Sequence, residues 1–128
     1  MMIICLKNIN GIIELMLQKK TEMDEASVFA LSIRHNPFSV DMFVSIYESV
    51  LYGFVMGVKE MHSLHRNRLV LSSINSELTV LFTMDEAGRI VADVEVFAGS
   101  NGLLKFSFDF DQSFLPEIIT DDNFSGEL

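Results

Sequence analysis

The chain has 128 residues, of which 49% are hydrophobic, and it carries a net charge of −9 at neutral pH. A chain of this length forms one domain with one sizeable core, whereas two independent domains of half the size are hard to stabilise. The single cysteine excludes an internal disulfide and favours a reducing compartment.

The charge is placed unevenly along the chain. Residues 1–68 carry seven basic and seven acidic side chains, while residues 69–128 carry two basic and eleven acidic ones. An acidic surface repels nucleic acid phosphates and attracts basic groups, so we expect a protein partner and no nucleic acid. The alternative is that the negative charge serves only solubility.

The N-terminal apolar run Met1–Leu6 is interrupted at Lys7 and Asn8 before it reaches the length of an export signal. Cys5 lies in this run, which favours a buried structural thiol over a nucleophile. The longest apolar run, Val50–Val58, falls well short of the roughly 20 residues that span a bilayer. We therefore predict a cytoplasmic protein without an export signal or a membrane partner.

Three strands are predicted in the first half of the chain, because apolar and polar residues alternate there. They include Ile13–Leu17, Phe29–Ile33 and Phe38–Tyr47, and the charged segment 19–27 between the first two is predicted to be a loop.

A helix is predicted from about Glu48, with Ser49 as its candidate cap, because apolar residues at 51, 54, 55, 58 and 61 recur at helical spacing. Gly53 and Gly57 lie four residues apart, and this spacing predicts a small-residue groove in which the helix approaches the sheet closely. A short strand, Leu69–Ile74, is predicted to follow the helix.

Strict alternation in the second half predicts a meander of three antiparallel strands, with turns at residues 85–88 and 99–102. For both faces of each hairpin to stay in register, even residues must pair with even ones. With Phe97 opposite Leu103, Glu95 lies opposite Lys105 and Asp93 opposite Ser107. The core-facing residues are predicted to be Leu78, Val80, Phe82, Met84, Ile90, Ala92, Val94, Val96, Leu104, Phe106, Phe108 and Phe110.

Together these elements predict an α+β fold in which a curved antiparallel β-sheet of about six to seven strands, ending in the meander, packs against one main helix. A short C-terminal helix is predicted after Asp111 or Ser113, either of which can cap it. We expect residues 1–128 to form a single domain, with residues 121–128 as a frayed acidic tail.

No catalytic, metal-binding or cofactor-binding constellation is visible in the sequence. His62 and His65 lie three residues apart but have no cysteine or carboxylate nearby at ligand spacing. No serine lies in a Gly-x-Ser-x-Gly elbow, and the segment 99–102 lacks the lysine of a phosphate-binding loop. We therefore expect a protein that is not an enzyme and needs no cofactor.

The outward positions of the meander are the candidate partner-binding residues. Carboxylates recur there beside apolar side chains, a mixture more typical of an interface than of a solvated surface. A plain solvated face and a general acid and base pair are the alternatives. The candidate residues are Asp93, Glu95, Asp109, Asp111, Phe97, Leu81 and Val91, with Leu103 also pointing outward.

The order of elements resembles a known family. A strand that begins at Gly11 and the Leu51-x-x-Phe54 helix precede the meander, which contains Gly88-Arg89-Ile90-Val91 and runs into Asp111-Gln112-Ser113. In this order the chain resembles the WapI-type immunity proteins of bacterial polymorphic and contact-dependent toxin systems. The resemblance implies a bacterial cytoplasmic protein that binds and neutralises a cognate protein toxin, often a nuclease domain with a basic surface. The acidic second half is expected to mimic nucleic acid towards such a toxin.

Two other functions remain open. A small ligand-binding or hydrolytic domain requires a pocket between helix and sheet, lined by converging polar groups. A structural homo-oligomeric module, such as a homodimer, requires the outer apolar residues Leu81, Val91, Phe97 and Leu103 to pair about a two-fold axis.

Overall fold

Nine strands and two helices build the fold, and residues 1–121 are described by the structure, a computed structural model. The α+β class, with one main helix, is thereby confirmed. In chain order the elements are β1 (Met2–Lys7), β2 (Ile13–Glu22), β3 (Ala26–His35), β4 (Phe38–Tyr47), α1 (Glu48–His62), β5 (Arg68–Ser72), β6 (Leu78–Met84), β7 (Arg89–Phe97), β8 (Leu103–Asp111), α2 (Leu115–Ile118) and β9 (Ile119–Asp121).

The strands divide into two sheets. One has five strands in the order β4-β3-β2-β1-β9, and the other has four in the order β5-β6-β7-β8. The predicted single sheet of six to seven strands is therefore wrong. α1 separates β4 from β5 along the chain, so the four strands before the helix and the four that directly follow it pair separately, and the buried residues of both sheets contribute to one hydrophobic core.

One hydrophobic core joins the inner faces of both sheets and one side of α1. At its centre Phe82 of β6 lies between Phe54 of α1 and Phe110 of β8, with ring centroids 5.8 Å and 5.4 Å away. Nine of the twelve residues predicted to face the core are buried, and Met84, Leu104 and Phe106 are partly buried against it. The inward face of the meander is thus confirmed.

The predicted register of the meander is also confirmed. Phe97 pairs with Leu103, Glu95 with Lys105 and Asp93 with Ser107. Even residues pair with even ones in the β6–β7 hairpin as well. Because side chains alternate between the two faces, this register places every odd-numbered residue of β7 on the outside.

The prediction that residues 19–27 form a loop is wrong. β2 continues to Glu22 and β3 begins at Ala26, which leaves a tight connection between two ten-residue strands. The ends of these strands project beyond the core, so they carry charged side chains and show no alternation of apolar and polar residues. The sequence pattern therefore does not indicate a strand there. A register shift between Lys19 and Thr21 marks a β-bulge in β2.

Both ends of the described chain are strands that were not predicted. β1 lies between β2 and β9, and Met2, Ile4 and Leu6 contribute to the core. Asp121, predicted to begin the frayed tail, is buried in β9 instead. The rest of the predicted tail, residues 122–128, lies outside the described residues.

The helix starts differ in part from the predictions. α1 begins at Glu48 after Tyr47 without a side-chain cap, so Ser49 is not its cap. The short C-terminal helix is confirmed as a 3₁₀ turn at 112–114 followed by α2. The Asp111 carboxylate caps this turn by accepting a hydrogen bond of 2.9 Å from the backbone N–H of Ser113.

The two glycines of α1 lie in different surroundings. A Cβ on Gly57 would lie 2.2 Å from Cδ1 of the buried Leu69 in β5, whereas a Cβ on Gly53 would meet nothing within 4 Å. The close approach of helix and sheet is therefore confirmed at Gly57, and Gly53 takes no part in it.

This difference predicts opposite effects for two matched substitutions. Gly57→Ala should destabilise the protein by about 1–3 kcal/mol through overpacking against Leu69. Gly53→Ala should stabilise it by up to about 1 kcal/mol, because alanine is the better helix former at an exposed position. Urea denaturation measures both changes as shifts of the midpoint. Equal stabilisation by the two alanines would contradict the packing described here.

Candidate functional site

The outer face of the four-stranded sheet is the surface that carries the predicted partner-binding residues. We define this outer face as the side chains of β5–β8 that point away from the core. Its cross-strand pairs are Thr79–Glu95, Leu81–Asp93, Thr83–Val91, Arg89–Asp111, Val91–Asp109, Asp93–Ser107, Glu95–Lys105 and Phe97–Leu103, and β5 adds Arg68, Val70 and Ser72.

All seven predicted residues lie on this one face. β7 carries four of them, β8 two and β6 one. Side chains that are directly opposite on adjacent antiparallel strands have Cβ atoms roughly 5 Å apart, so Leu81 and Asp93 are neighbours, as are Val91 and Asp109. The structure therefore brings the predicted residues into one continuous surface.

The charges on this face are partly paired. Arg89 forms an ion pair with Asp109, and Lys105 lies 3.8 Å from a Glu95 carboxylate oxygen. The Asp93 carboxylate accepts a hydrogen bond from the Ser107 hydroxyl. Cations thus form ion pairs with two of the four carboxylates of this face, Asp109 and Glu95.

Apolar side chains are exposed between these charges. Phe97 is 50% and Leu103 52% exposed, and they face each other at one end of the β7–β8 pair. Val91 is 38% exposed nearer the middle, and Leu81 is half-buried beside it. A surface of exposed aromatic and aliphatic groups among paired charges has the composition of a non-obligate protein interface.

Asp111 marks the end of this face and has a structural role there. The hydrogen bond from the Ser113 backbone lowers the pKa of the Asp111 carboxyl below its ordinary value, with a smaller effect from nearby Arg89. The backbone N–H of Gln112 donates to the carbonyl of Gly88 over 3.0 Å. Gly88 itself has a φ of +85°, which favours glycine. Residues 88–91 and residues 111–113 are therefore in contact through this hydrogen bond.

The histidines and the cysteine do not form a site in the described chain. His62 and His65 are exposed at the end of α1, and the His35 ring packs at 5.5 Å from Phe106. Among residues 1–121, no group of three or more His, Cys, Asp or Glu side chains is arranged to hold a metal ion. Cys5 is half-buried rather than fully buried, and its burial, together with Glu14, raises the pKa of its thiol.

A groove of about 700 Å³ lies between α1 and the five-stranded sheet. Side chains from β1, β2, α1 and β9 line it, including Lys19, Lys20, Leu51, Val55 and Lys59. A pocket between helix and sheet is what the ligand-binding alternative requires. This groove is open, and its lining combines apolar side chains with both ammonium and carboxylate groups.

A cluster of polar side chains lies beside the groove. Lys19 follows Leu15 and Leu17 on the inner face of β2, and its ammonium lies 2.6 Å from Glu22 and 3.8 Å from Glu48. The buried Ser27 hydroxyl donates a hydrogen bond to Glu48. This cluster was not predicted, because residues 19–27 were expected to form a loop. The one available signal was that Lys19 continues the odd-numbered, inward-facing series of β2.

No helix in residues 1–121 is long and apolar enough to cross a membrane. No known family model matches the chain, and neither a curated protein nor a solved structure shows significant similarity to it.

Proposed function

We propose that the protein is an immunity protein that binds and neutralises a cognate bacterial toxin domain through the outer face of the four-stranded sheet. The observation that carries the proposal is the convergence of all seven predicted residues on that one face, where exposed apolar groups lie among paired charges. A reducing, cytoplasmic setting suits a protein of this kind with a single free cysteine.

The two kinds of side chain have different tasks in such a complex. Phe97, Leu103 and Val91 supply exposed apolar area, and its removal from water favours binding. Asp93 and Glu95 favour a basic toxin surface and speed the encounter with it. Arg89 and Lys105 fix the order of charges, so that a partner with the wrong pattern meets like charge.

Neutralisation by this face requires only occupancy of the toxin surface. A toxin domain that acts on nucleic acid has a basic substrate-binding surface, and a bound sheet with carboxylates covers that surface and excludes the substrate. The complex is therefore stoichiometric, and the protein undergoes no chemical change.

Growth rescue tests this function. The product of the neighbouring gene is expressed in a host cell with and without this protein, and the purified pair is analysed by size-exclusion chromatography with light scattering. We expect growth arrest that is relieved by this protein and a one-to-one complex. Growth arrest that persists, with the two proteins eluting separately, would contradict the proposal for that pair.

The groove beneath α1 is the observation that favours the second candidate, binding of a small ligand. Its volume lies within the range of roughly 300–1,000 Å³ found for ligand pockets. Binding a small ligand and binding a toxin are compatible, because the groove and the outer face belong to different sheets.

A further inference from the structure

The β-bulge in β2 determines which side chains reach the groove. Lys19 pairs with Phe29 and Thr21 pairs with the next residue, Val28, so Lys20 is the extra residue of the bulge. A bulge bends its strand and redirects the side chains around it. As a result Lys19 and Lys20, which would point to opposite faces of a regular strand, both line the groove.

One side of α1 forms the facing wall. Tyr52, Val55, Met56 and Lys59 are spaced i, i+3, i+4 and i+7, and all four line the groove. The stripe begins with an aromatic ring, continues with two apolar side chains and ends with an ammonium group. The wall is thus apolar along its length and positively charged at one end.

The charges in the groove are unequally satisfied. Lys19 is only 16% exposed and is neutralised by Glu22 and Glu48, and its hydrogen bond lowers the pKa of Glu22. Within the described part of the chain, neither Lys20 nor Lys59 has a carboxylate oxygen within 4.0 Å. Glu22, Glu48 and Asp121 also line the groove, but Lys19 engages the first two and the N-terminal ammonium lies 3.7 Å from Asp121. The uncompensated charges of the groove are therefore the two ammonium groups of Lys20 and Lys59.

The apolar part of the lining is large and adaptable. Leu51 and Met2 are buried at its base, and Val55 and Ile119 are half-buried. Met56 lies on the rim, and methionine side chains adjust to irregular apolar ligands. Two isolated ammonium groups without arginine or a glycine-rich loop are poorly suited to hold a nucleotide's phosphates.

We propose that this groove is a binding site for an alkyl carboxylate, a medium-chain fatty acid. The carboxylate lies between Lys20 and Lys59, and the alkyl chain lies along Val55, Met56 and Leu51. Charge complementarity sets the head group, and the apolar stripe of α1 sets the chain. This site is separate from the outer face, so its failure leaves the proposed toxin binding untouched.

The test titrates sodium decanoate, below its micelle concentration, into the full-length protein with ¹³C-labelled methyl groups. We expect saturable one-to-one binding, with shifts at the methyl groups of Leu51, Val55 and Met56 and none at Val91. Decanol, which has the same chain without the charge, should bind at least about 10-fold more weakly.

Two double variants separate the groove lysines from net charge. Lys20→Glu with Lys59→Glu should weaken decanoate binding at least about 10-fold, because attraction becomes repulsion. Lys7→Glu with Arg66→Glu changes the charge equally but lies outside both the groove and the outer face, so it should leave the decanoate affinity unchanged. Met56→Ala keeps the charge but removes contacts with the alkyl chain, so this substitution by itself should also weaken decanoate binding. It tests the site even if the double lysine variant does not fold.

Three results would overturn the proposal. One is the absence of saturable methyl shifts, and another is equal affinity for decanol and decanoate. The third is displacement of decanoate at lower concentration by a peptide with the sequence of residues 121–128, which would make the groove a site for acidic peptides.

Discussion

Replacing Asp93 and Glu95 together with lysine is expected to weaken binding of the toxin domain at least about 100-fold, or about 2.7 kcal/mol. Both residues point outward from the middle of β7, two positions apart. With Lys105 opposite one of them and Arg89 on the same strand, the double variant turns the centre of the face strongly basic. A basic toxin surface is then repelled where it was attracted.

The fold should survive this change. Asp93 and Glu95 are exposed, and a surface ion pair such as Glu95–Lys105 contributes roughly 0–1 kcal/mol. The matched control is Glu14→Lys with Asp41→Lys, which alters the net charge equally on the outer side of the five-stranded sheet. Those carboxylates also belong to cross-strand ion pairs, at 3.6 Å from Lys7 and 3.4 Å from Arg34.

Isothermal titration calorimetry of both variants at two salt concentrations distinguishes the possibilities. Loss of binding in Asp93→Lys/Glu95→Lys alone supports the outer face as the interface. An equal loss in both variants would show that only net charge matters. Unchanged affinity in the first variant would show that this face does not bind the toxin.

Phe82→Ala is expected to destabilise the protein by about 3–5 kcal/mol. The Phe82 ring is fully buried and touches the rings of Phe54 and Phe110, so its removal leaves a cavity where α1 meets the four-stranded sheet. Small proteins are stable by only about 5–15 kcal/mol, so a large part of that margin is lost.

The control for this substitution is Phe97→Ala, which removes an equally large ring from the outer face. Because Phe97 is 50% exposed, its loss should cost less than about 1 kcal/mol of stability. It should nevertheless weaken toxin binding, which Phe82→Ala affects only through unfolding. Urea denaturation and binding measurements on both variants test the separation, and similar losses of stability would contradict the assignment of inside and outside.

The meander could be predicted residue by residue because its side chains obey a strict period of two. In β6, β7 and β8 a slip of one residue would expose a whole apolar face, so the register followed from parity alone. The pairs Glu95–Lys105 and Asp93–Ser107 were therefore predictable from the sequence. The residues of the outer face were predictable for the same reason, because they are the alternate positions that do not point to the core.

β1 could not be recognised because its run of apolar residues carries no alternation. Its even residues, such as Ile4, are buried, while Ile3 and Cys5 on its other side are half-buried, so both faces are apolar. The three-residue β9 lacks any periodicity of its own and depends on pairing with β1. The division into two sheets depends on such long-range pairing, which local patterns do not encode.

The groove could not be predicted from the sequence for a different reason. It depends on the bulge at Lys20, which brings two lysines to one side, and on the helix stripe that faces them. Sequence periodicity shows neither a bulge nor the pairing of a helix face with a strand end. A run of charges at residues 19–25 resembles a solvated loop, and only the inward position of Lys19 distinguishes the two.

Methyl cross-saturation in the complex with the unlabelled toxin domain shows whether the outer face is the surface that binds the toxin. In a deuterated, methyl-labelled sample of this protein, irradiation of the toxin reduces the signals of methyl groups that touch it. We expect reduced signals for Val91, Leu81 and Leu103 and unchanged signals for Ile3 and Val28 on the outer side of the five-stranded sheet. Reduced signals at Ile3 and Val28, with Val91 unaffected, would contradict toxin binding by the outer face of the four-stranded sheet.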